Sequence, residues 1–368
     1  MKRAQDNQPQ DHLPAIAIDR EHGGAAVHGA IDFSASINPI GPPPAAIEEY
    51  HRAAASLARY PAPYPDELGG RIAQWIGVSA EQVLVGNGST QLIHLLSRAM
   101  RWRRPVVVTP TFSEIANALI IAGSAPHAVE LSRERNFELR GDDVTRALES
   151  GADAIFIGRP NSPTGSMLSF AAAAAIAIEC ARCNAQCVFD EAFIDFADNA
   201  RSMIHLVSRA PNVVVLRSLT KIFAIPGLRL GFVVAEPRTI MRLREMIEPW
   251  SVNAVAARVG VACLGDAAAF ILRTREFLAG ERDYLAHGLV QNPDLRVFPS
   301  AANFLLIAAR EAGTDSFGAF MMRKAIAVRD LRSLPGCGPG LYRIGIRNHD
   351  DNELLIAAAR DYLGAGRQ

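Results

Sequence analysis

From about residue 68 to residue 235 the chain repeats one local pattern: a short apolar run, then a longer stretch with apolar positions at helical spacing. LGGRIAQWIG reads as helix, VLVG as strand and STQLIHLLSRAM as amphipathic helix. Strand PVVVTP, helix EIANALIIAG, strand HAVEL, helix DDVTRALES and strand AIFIG follow. Then come the alanine-rich SFAAAAAIAIECA, strand CVFD, a helix over MIHLVSRA, and strands VVVLRS and GFVVA. Uniformly apolar strands need cover on both faces, and parallel strands need a crossover between them. The pattern predicts an α/β fold with a mixed, mostly parallel sheet between helices. A largely helical run from Arg238 to Leu285 leads to RVFPS, FLLIAA, AVRD and LYRIGI, which read as strands of a smaller α+β domain closed by helix ELLIAAARDYL. Ahead of the repeating pattern, IDFSASINPIGPPP is extended and ends in prolines that interrupt any helix.

Composition narrows the function. A formal charge of zero gives no electrostatic footprint for nucleic acid or a membrane surface. The alanine-rich run is too short to span a bilayer, and the polar first residues lack an apolar signal core, so a cytoplasmic address is expected. Five cysteines without regular spacing read as structural rather than as a disulfide framework or metal site. GxxxxGK[ST], GxGxxG, GxSxG and HExxH are all missing.

Three polar features fall at carboxyl ends of strands, where doubly wound sheets collect ligands. GNGSTQ (86–91) is a glycine-rich turn opening a helix, either an anion site at Gly88, Ser89 and Thr90 or an ordinary capped helix start. Asp190 ends CVFD, where burial demands a cationic partner, from a ligand or a structural ion pair. Lys221 is one of only three lysines among 38 basic residues, and lies near Ser218, Thr220 and Arg229. Unlike arginine, a lysine amine can deprotonate and add to a carbonyl. One ligand unites the three features, offering a phosphate to Gly88–Thr90 and Arg229, a protonated ring nitrogen to Asp190 and an aldehyde to Lys221. Pyridoxal phosphate fits that description.

DFSASINPIGPP, RYP, GNGSTQLI, TPTF, PNSPTG, DEAFIDF, RSLTKIFAIPGLRLGF and YRIGIR together resemble the fold-type-I pyridoxal-phosphate enzymes, in the branch of histidinol-phosphate aminotransferase and threonine-phosphate decarboxylase. The resemblance implies an N-terminal arm over 1–40, a large cofactor-binding domain over 41–255 and a small C-terminal domain over 256–368. It implies that Lys221 binds the cofactor aldehyde and moves protons, that Asp190 pairs with the ring nitrogen, and that Gly88, Ser89, Thr90, Ser218, Thr220 and Arg229 hold its phosphate. Phe112 would stack on the ring. Tyr60 would reach the cofactor phosphate of a neighbouring subunit, making the protein a homodimer with shared sites. Arg343 would bind the substrate carboxylate, Arg329 the substrate's own phosphate, and Asn38 would border the substrate pocket. Two positions depart from the branch's aminotransferases: Ser162 and Phe193 stand where an asparagine and a tyrosine bond the cofactor's phenolic oxygen. Phe193 cannot donate, leaving that task to Ser162 or Asn161. DEAF with phenylalanine, the DFSASINPIGPP arm and His22-Gly23-Gly24 all lean toward the decarboxylase. The expected reaction is decarboxylation of O-phospho-L-threonine to aminopropanol phosphate for the cobalamin side chain. The alternative is transamination of histidinol phosphate or a related amino acid with 2-oxoglutarate.

Overall fold

The computed structural model describes residues 16–24, 28–311 and 316–362. The chain runs through β1 (Ile31–Asp32), α1 (Pro44–Ala53) and α2 (Asp66–Ile76) into the repeating region. There follow β2 (Val83–Gly86), α3 (Gly88–Met100), β3 (Pro105–Thr109), α4 (Ser113–Ile121), β4 (His127–Glu130) and α5 (Gly141–Glu149). The region continues through β5 (Ala154–Gly158), α6 (Phe170–Arg182), β6 (Gln186–Asp190), β7 (Val213–Ser218), α7 (Leu219–Ile222) and β8 (Gly231–Val234). Helices α8 (Pro237–Arg244), α9 (Ala254–Leu264) and α10 (Ala267–Val290) come next. The last part holds β9 (Leu295–Val297), β10 (Phe304–Ala309), α11 (Phe317–Arg323), β11 (Ile326–Ala327), β12 (Arg329–Asp330), β13 (Leu341–Gly345) and α12 (His349–Arg360).

The seven-stranded sheet has the order β2-β8-β7-β6-β5-β3-β4, with β8 antiparallel to both neighbours and the remaining pairings parallel. Successive side chains alternate between the faces of a strand. Along β5, Ile155 and Ile157 join one buried cluster while Ala154 and Phe156 join the other. Both faces of the sheet are therefore dry, as the uniform apolar runs predict. A second, antiparallel sheet has the order β12-β13-β10-β9. The N-terminal arm is tied to this part of the molecule by β1, which pairs in parallel with β11 through Ile31–Ile326 and Asp32–Ala327.

Three expectations change in detail. MIHLVSRA makes a single 3₁₀ turn at Met203–Leu206, because Pro211 disfavours helical backbone at Ala210 and stops propagation. The stretch from Arg238 to Leu285 is interrupted between α8 and α9, where Pro249 lies, and again at Gly265–Asp266. AVRD is divided between β11 and β12, which serve different sheets. Among the described residues no single helix is long and apolar enough to cross a membrane.

Candidate active site

The parallel strands β2, β3, β5, β6 and β7 end at one edge of the main sheet with Gly86, Thr109, Gly158, Asp190 and Ser218, and β8 begins there with Gly231. A cavity of about 210 Å³ opens at this edge and is walled on its far side by the small sheet. Lys221, Asp190, Ser89, Thr90, Ser218, Thr220, Arg229, Phe112, Ser162, Arg329 and Arg343 all line it.

Backbone geometry explains why the anion side of the cavity forms. Helix α3 begins at Gly88 with no side chain capping its first turn, so its free N–H groups and positive dipole end face the cavity. Gly88 has φ +80°, and a Cβ there would come within 2.6 Å of Arg229 Nη2. Gly231 meets the same turn so closely that a Cβ would lie 2.5 Å from the Ser89 nitrogen. The two glycines thus let Arg229 and β8 press against the helix start. Arg229 is itself held in left-handed backbone at φ 57°, and its guanidinium donates only a long bond of 3.4 Å to the Pro226 carbonyl. Among the described residues no carboxylate pairs with it. Ser218 and Thr220 share a hydroxyl–hydroxyl bond of 2.7 Å beside it.

The buried charges call for a cation and a carbonyl. Asp190 accepts the Ala192 N–H at 3.0 Å, and among the described residues no cation bonds its carboxylate. The alternative of a structural ion pair fails here, because the neighbouring acids take the available arginines. Glu191 pairs with Arg159 at 2.8 Å, and Asp195 with Arg217 at 2.7 Å. Burial, with the nearby Glu191 charge, pushes the Asp190 carboxyl up to about 6 despite the Ala192 bond and Lys221. Burial also pushes the Lys221 ammonium down to about 8, with Arg343 and Arg229 adding repulsion and Asp190 opposing it. A buried acid without a bonded cation, a half-buried amine with a depressed pKa, and an open anion cradle fit the ring nitrogen, aldehyde and phosphate of pyridoxal phosphate.

The wall of the cavity formed by the small sheet carries an unusual cross-strand pair. In the antiparallel ladder of β12 and β13, Arg329 stands directly opposite Arg343. Like charges facing each other across a ladder are destabilising unless an anion joins them. Arg343 is half-buried, and desolvation together with Arg329 pushes its guanidinium down to about 10, opposed by Asp32. It donates to Ser162 Oγ at 3.1 Å and to the Ser34 carbonyl at 2.8 Å, while its Nε is buried with no partner.

Besides Gly88, which opens α3 next to Ser89 but does not itself line the cavity, three expected site residues are not brought to it. Asn161 turns away from it: its amide donates to the Pro110 carbonyl and Thr164 Oγ1, and its oxygen accepts from Thr111 Oγ1. Asn38 is buried beneath the lysine turn, donating at 2.7 Å to the Ile222 carbonyl and at 2.9 Å to Thr274 Oγ1. It shapes the backbone next to Lys221 rather than bordering substrate space. Tyr60 is 91% exposed and meets Trp250 in a tilted ring contact at 5.9 Å, outside the cavity of its own chain. Phe193 does line the cavity, packed edge-on against Phe304 at 5.1 Å. The structure also adds Glu21, His22 and Thr111 to the lining. The His22-Gly23-Gly24 stretch marks one of them, His22, in the sequence, and Glu21 directly precedes it. Thr111 lies in TPTF, one residue before the phenylalanine that the resemblance singles out.

Comparison with known proteins gives a consistent picture. The family model for aminotransferase class I and II matches residues 29–360. The chain is 35% identical to threonine-phosphate decarboxylase from Salmonella typhimurium over 334 residues, covering 90% of this chain and 91% of the relative. It is 31% identical to histidinol-phosphate aminotransferase from an Anaeromyxobacter species over 356 residues, covering 96% and 95%. A crystal structure of histidinol-phosphate aminotransferase from Sinorhizobium meliloti, in complex with pyridoxal-5'-phosphate, superposes with a TM-score of 0.79 at 20% identity, covering 89% of each chain.

Proposed function

This chain belongs to the aminotransferase class I and II family, and we propose that it uses pyridoxal phosphate to decarboxylate a phosphorylated amino acid, O-phospho-L-threonine, giving aminopropanol phosphate. The observation that carries the reading is the Arg329–Arg343 pair, two facing cations opening into the same cavity as Lys221 and Asp190. A substrate with a carboxylate and a phosphate supplies one anion for each. The higher identity and the matching coverage of the threonine-phosphate decarboxylase relative support the choice of reaction. Phe193, in place of a tyrosine, supports it as well.

Bound in the cavity, the cofactor supplies a ring that accepts the electron pair left at the substrate's Cα when a bond there breaks. The residues do the rest. Asp190 stays ionised against the ring nitrogen and keeps it protonated. The first turn of α3, Ser218, Thr220 and Arg229 grip the phosphate. Phe112 covers the ring, and Arg343, braced by Ser162 and the Ser34 carbonyl, orients the substrate carboxylate. Lys221, with a depressed pKa, would hold the aldehyde carbon and, once the incoming substrate amine takes its place, would carry a proton to Cα where CO₂ has left. Tyr60, exposed on the surface, completes the phosphate site of a second copy in a homodimer.

The deciding experiment supplies O-phospho-L-threonine to the cofactor-loaded protein with no keto acid and follows the product by mass spectrometry. Aminopropanol phosphate accumulating beyond one equivalent per site is expected. Amino transfer to 2-oxoglutarate from histidinol phosphate, with no such product, overturns the reading in favour of the aminotransferase. Arg329→Ala is expected to weaken O-phospho-L-threonine about ten- to a hundredfold, the value of one charged hydrogen bond, and L-threonine much less. Equal losses on both ligands would remove this arginine from phosphate recognition. The neutral amine is the nucleophile, so cofactor uptake by the cofactor-free protein should accelerate as pH rises through about 8, the position of the Lys221 amine. Uptake rates flat between pH 7 and 9 would contradict that assignment.

A further inference from the structure

The segment Asp19–Gly24 crosses the mouth of the cavity and is tied down on both sides. On the main-sheet side, Asp19 exchanges hydrogen bonds with Asn117, its N–H donating to Oδ1 at 3.2 Å and its carbonyl accepting from Nδ2. His22 Nε2 lies 3.2 Å from Glu114 Oε1, and His94 holds the other oxygen of the same carboxylate at 3.2 Å. At the far end the Gly24 N–H donates to Ser34 Oγ at 2.8 Å. Between these anchors stands Glu21, which faces the small sheet. Arg329 Nη2 donates to the Glu21 carbonyl, and Nη1 lies 3.7 Å from Oε2, which also accepts from Ser333 Oγ at 2.8 Å.

An anionic oxygen held by a guanidinium and a hydroxyl is what a bound phosphate would present at the same place. The Arg329 side chain is only 13% exposed, whereas that of Glu21 is 65% exposed. Glu21 can therefore swing into solvent without unseating the anchors on either side of it. Resting on the phosphorylated-substrate reading, we propose that Glu21 stands in for the substrate phosphate on Arg329 in the ligand-free protein. Each phosphorylated ligand must displace this carboxylate, so Glu21 sets how strongly the site favours phosphate. A half-exposed ion pair contributes little, which keeps the exchange easy. The displaced carboxylate still stands near a dianion, and this repulsion tempers affinity.

The test measures binding of propyl phosphate, which has no amine to react, to the cofactor-loaded protein by calorimetry. Wild type, Glu21→Gln and Arg329→Gln are compared. Removing the competing charge should tighten binding in Glu21→Gln about two- to fivefold, the size of an exposed ion pair, while Arg329→Gln weakens it at least about tenfold. Equal or weaker binding in Glu21→Gln beside a weakened Arg329→Gln overturns the proposal and leaves the phosphate reading standing. Unchanged binding in Arg329→Gln overturns both.

Discussion

Asp190→Asn should lower turnover roughly a hundred- to several-thousandfold and, in the opposite sense, stabilise the cofactor-free protein above pH 6. The amide matches the carboxylate in shape and still accepts the Ala192 N–H, so the fold loses nothing local. It cannot hold a cationic ring nitrogen, and breaking one side of a buried charge pair costs about 3–5 kcal/mol. The sign in the cofactor-free protein follows from linkage. The folded-state pKa, about 6, lies above the ordinary value of 3.8. Stability from the protonated carboxyl is fully present below pH 3.8 and is lost as pH rises through 6, a difference of about 3 kcal/mol. The asparagine variant escapes that loss. Chemical denaturation of both cofactor-free proteins at pH 5 and pH 8 checks it: the variant should gain on wild type at pH 8 and about half as much at pH 5. A variant that keeps full turnover would remove Asp190 from the ring nitrogen, and one that is destabilised at pH 8 would show that Asp190 has a cationic partner within the chain.

Lys221→Ala should abolish the visible absorbance of lysine-bound cofactor and cut turnover by at least about a thousandfold. Two functions are lost together, the covalent anchor and the proton carrier at Cα, and positioned acid–base catalysis alone is worth about 10²–10⁴. The cofactor-free variant should fold normally, since burial already pushes this ammonium down to about 8 and no described carboxylate bonds it. An absorbance band that survives and still shifts when substrate is added would exclude Lys221 from both roles.

Most of the site's cofactor half is legible in the amino-acid sequence. Gly88, Asp190, Ser218 and Lys221 sit at strand ends or in the turns that follow them, and such ends are marked by a change from apolar to small polar residues. The departures arise where a side chain's direction, rather than its position in the chain, decides its role. Asn161 follows the same strand-end rule and lies next to Ser162, yet Thr111, Pro110 and Thr164 draw its amide away from the cavity. Asn38 is separated from its partner Thr274 by 236 residues, and no local pattern announces that contact. The helix expected over MIHLVSRA fails for a local reason that the sequence does display, namely Pro211.

The small-sheet wall of the cavity is legible only through resemblance. Arg329 and Arg343 are fourteen residues apart, and nothing in their spacing sets them opposite each other; that requires the register of β12 on β13. Glu21 meets Arg329 across 308 residues of chain. By itself, the sequence determined the alternation of strands and helices, the carboxyl edge of the main sheet, and a lysine among small polar residues just past that edge, because backbone sterics and side-chain periodicity act over a few residues. Only the tertiary structure decided which charges go unpaired, which arginines face one another and which segment crosses the cavity, because electrostatic pairing is set by burial and by contacts between distant parts of the chain.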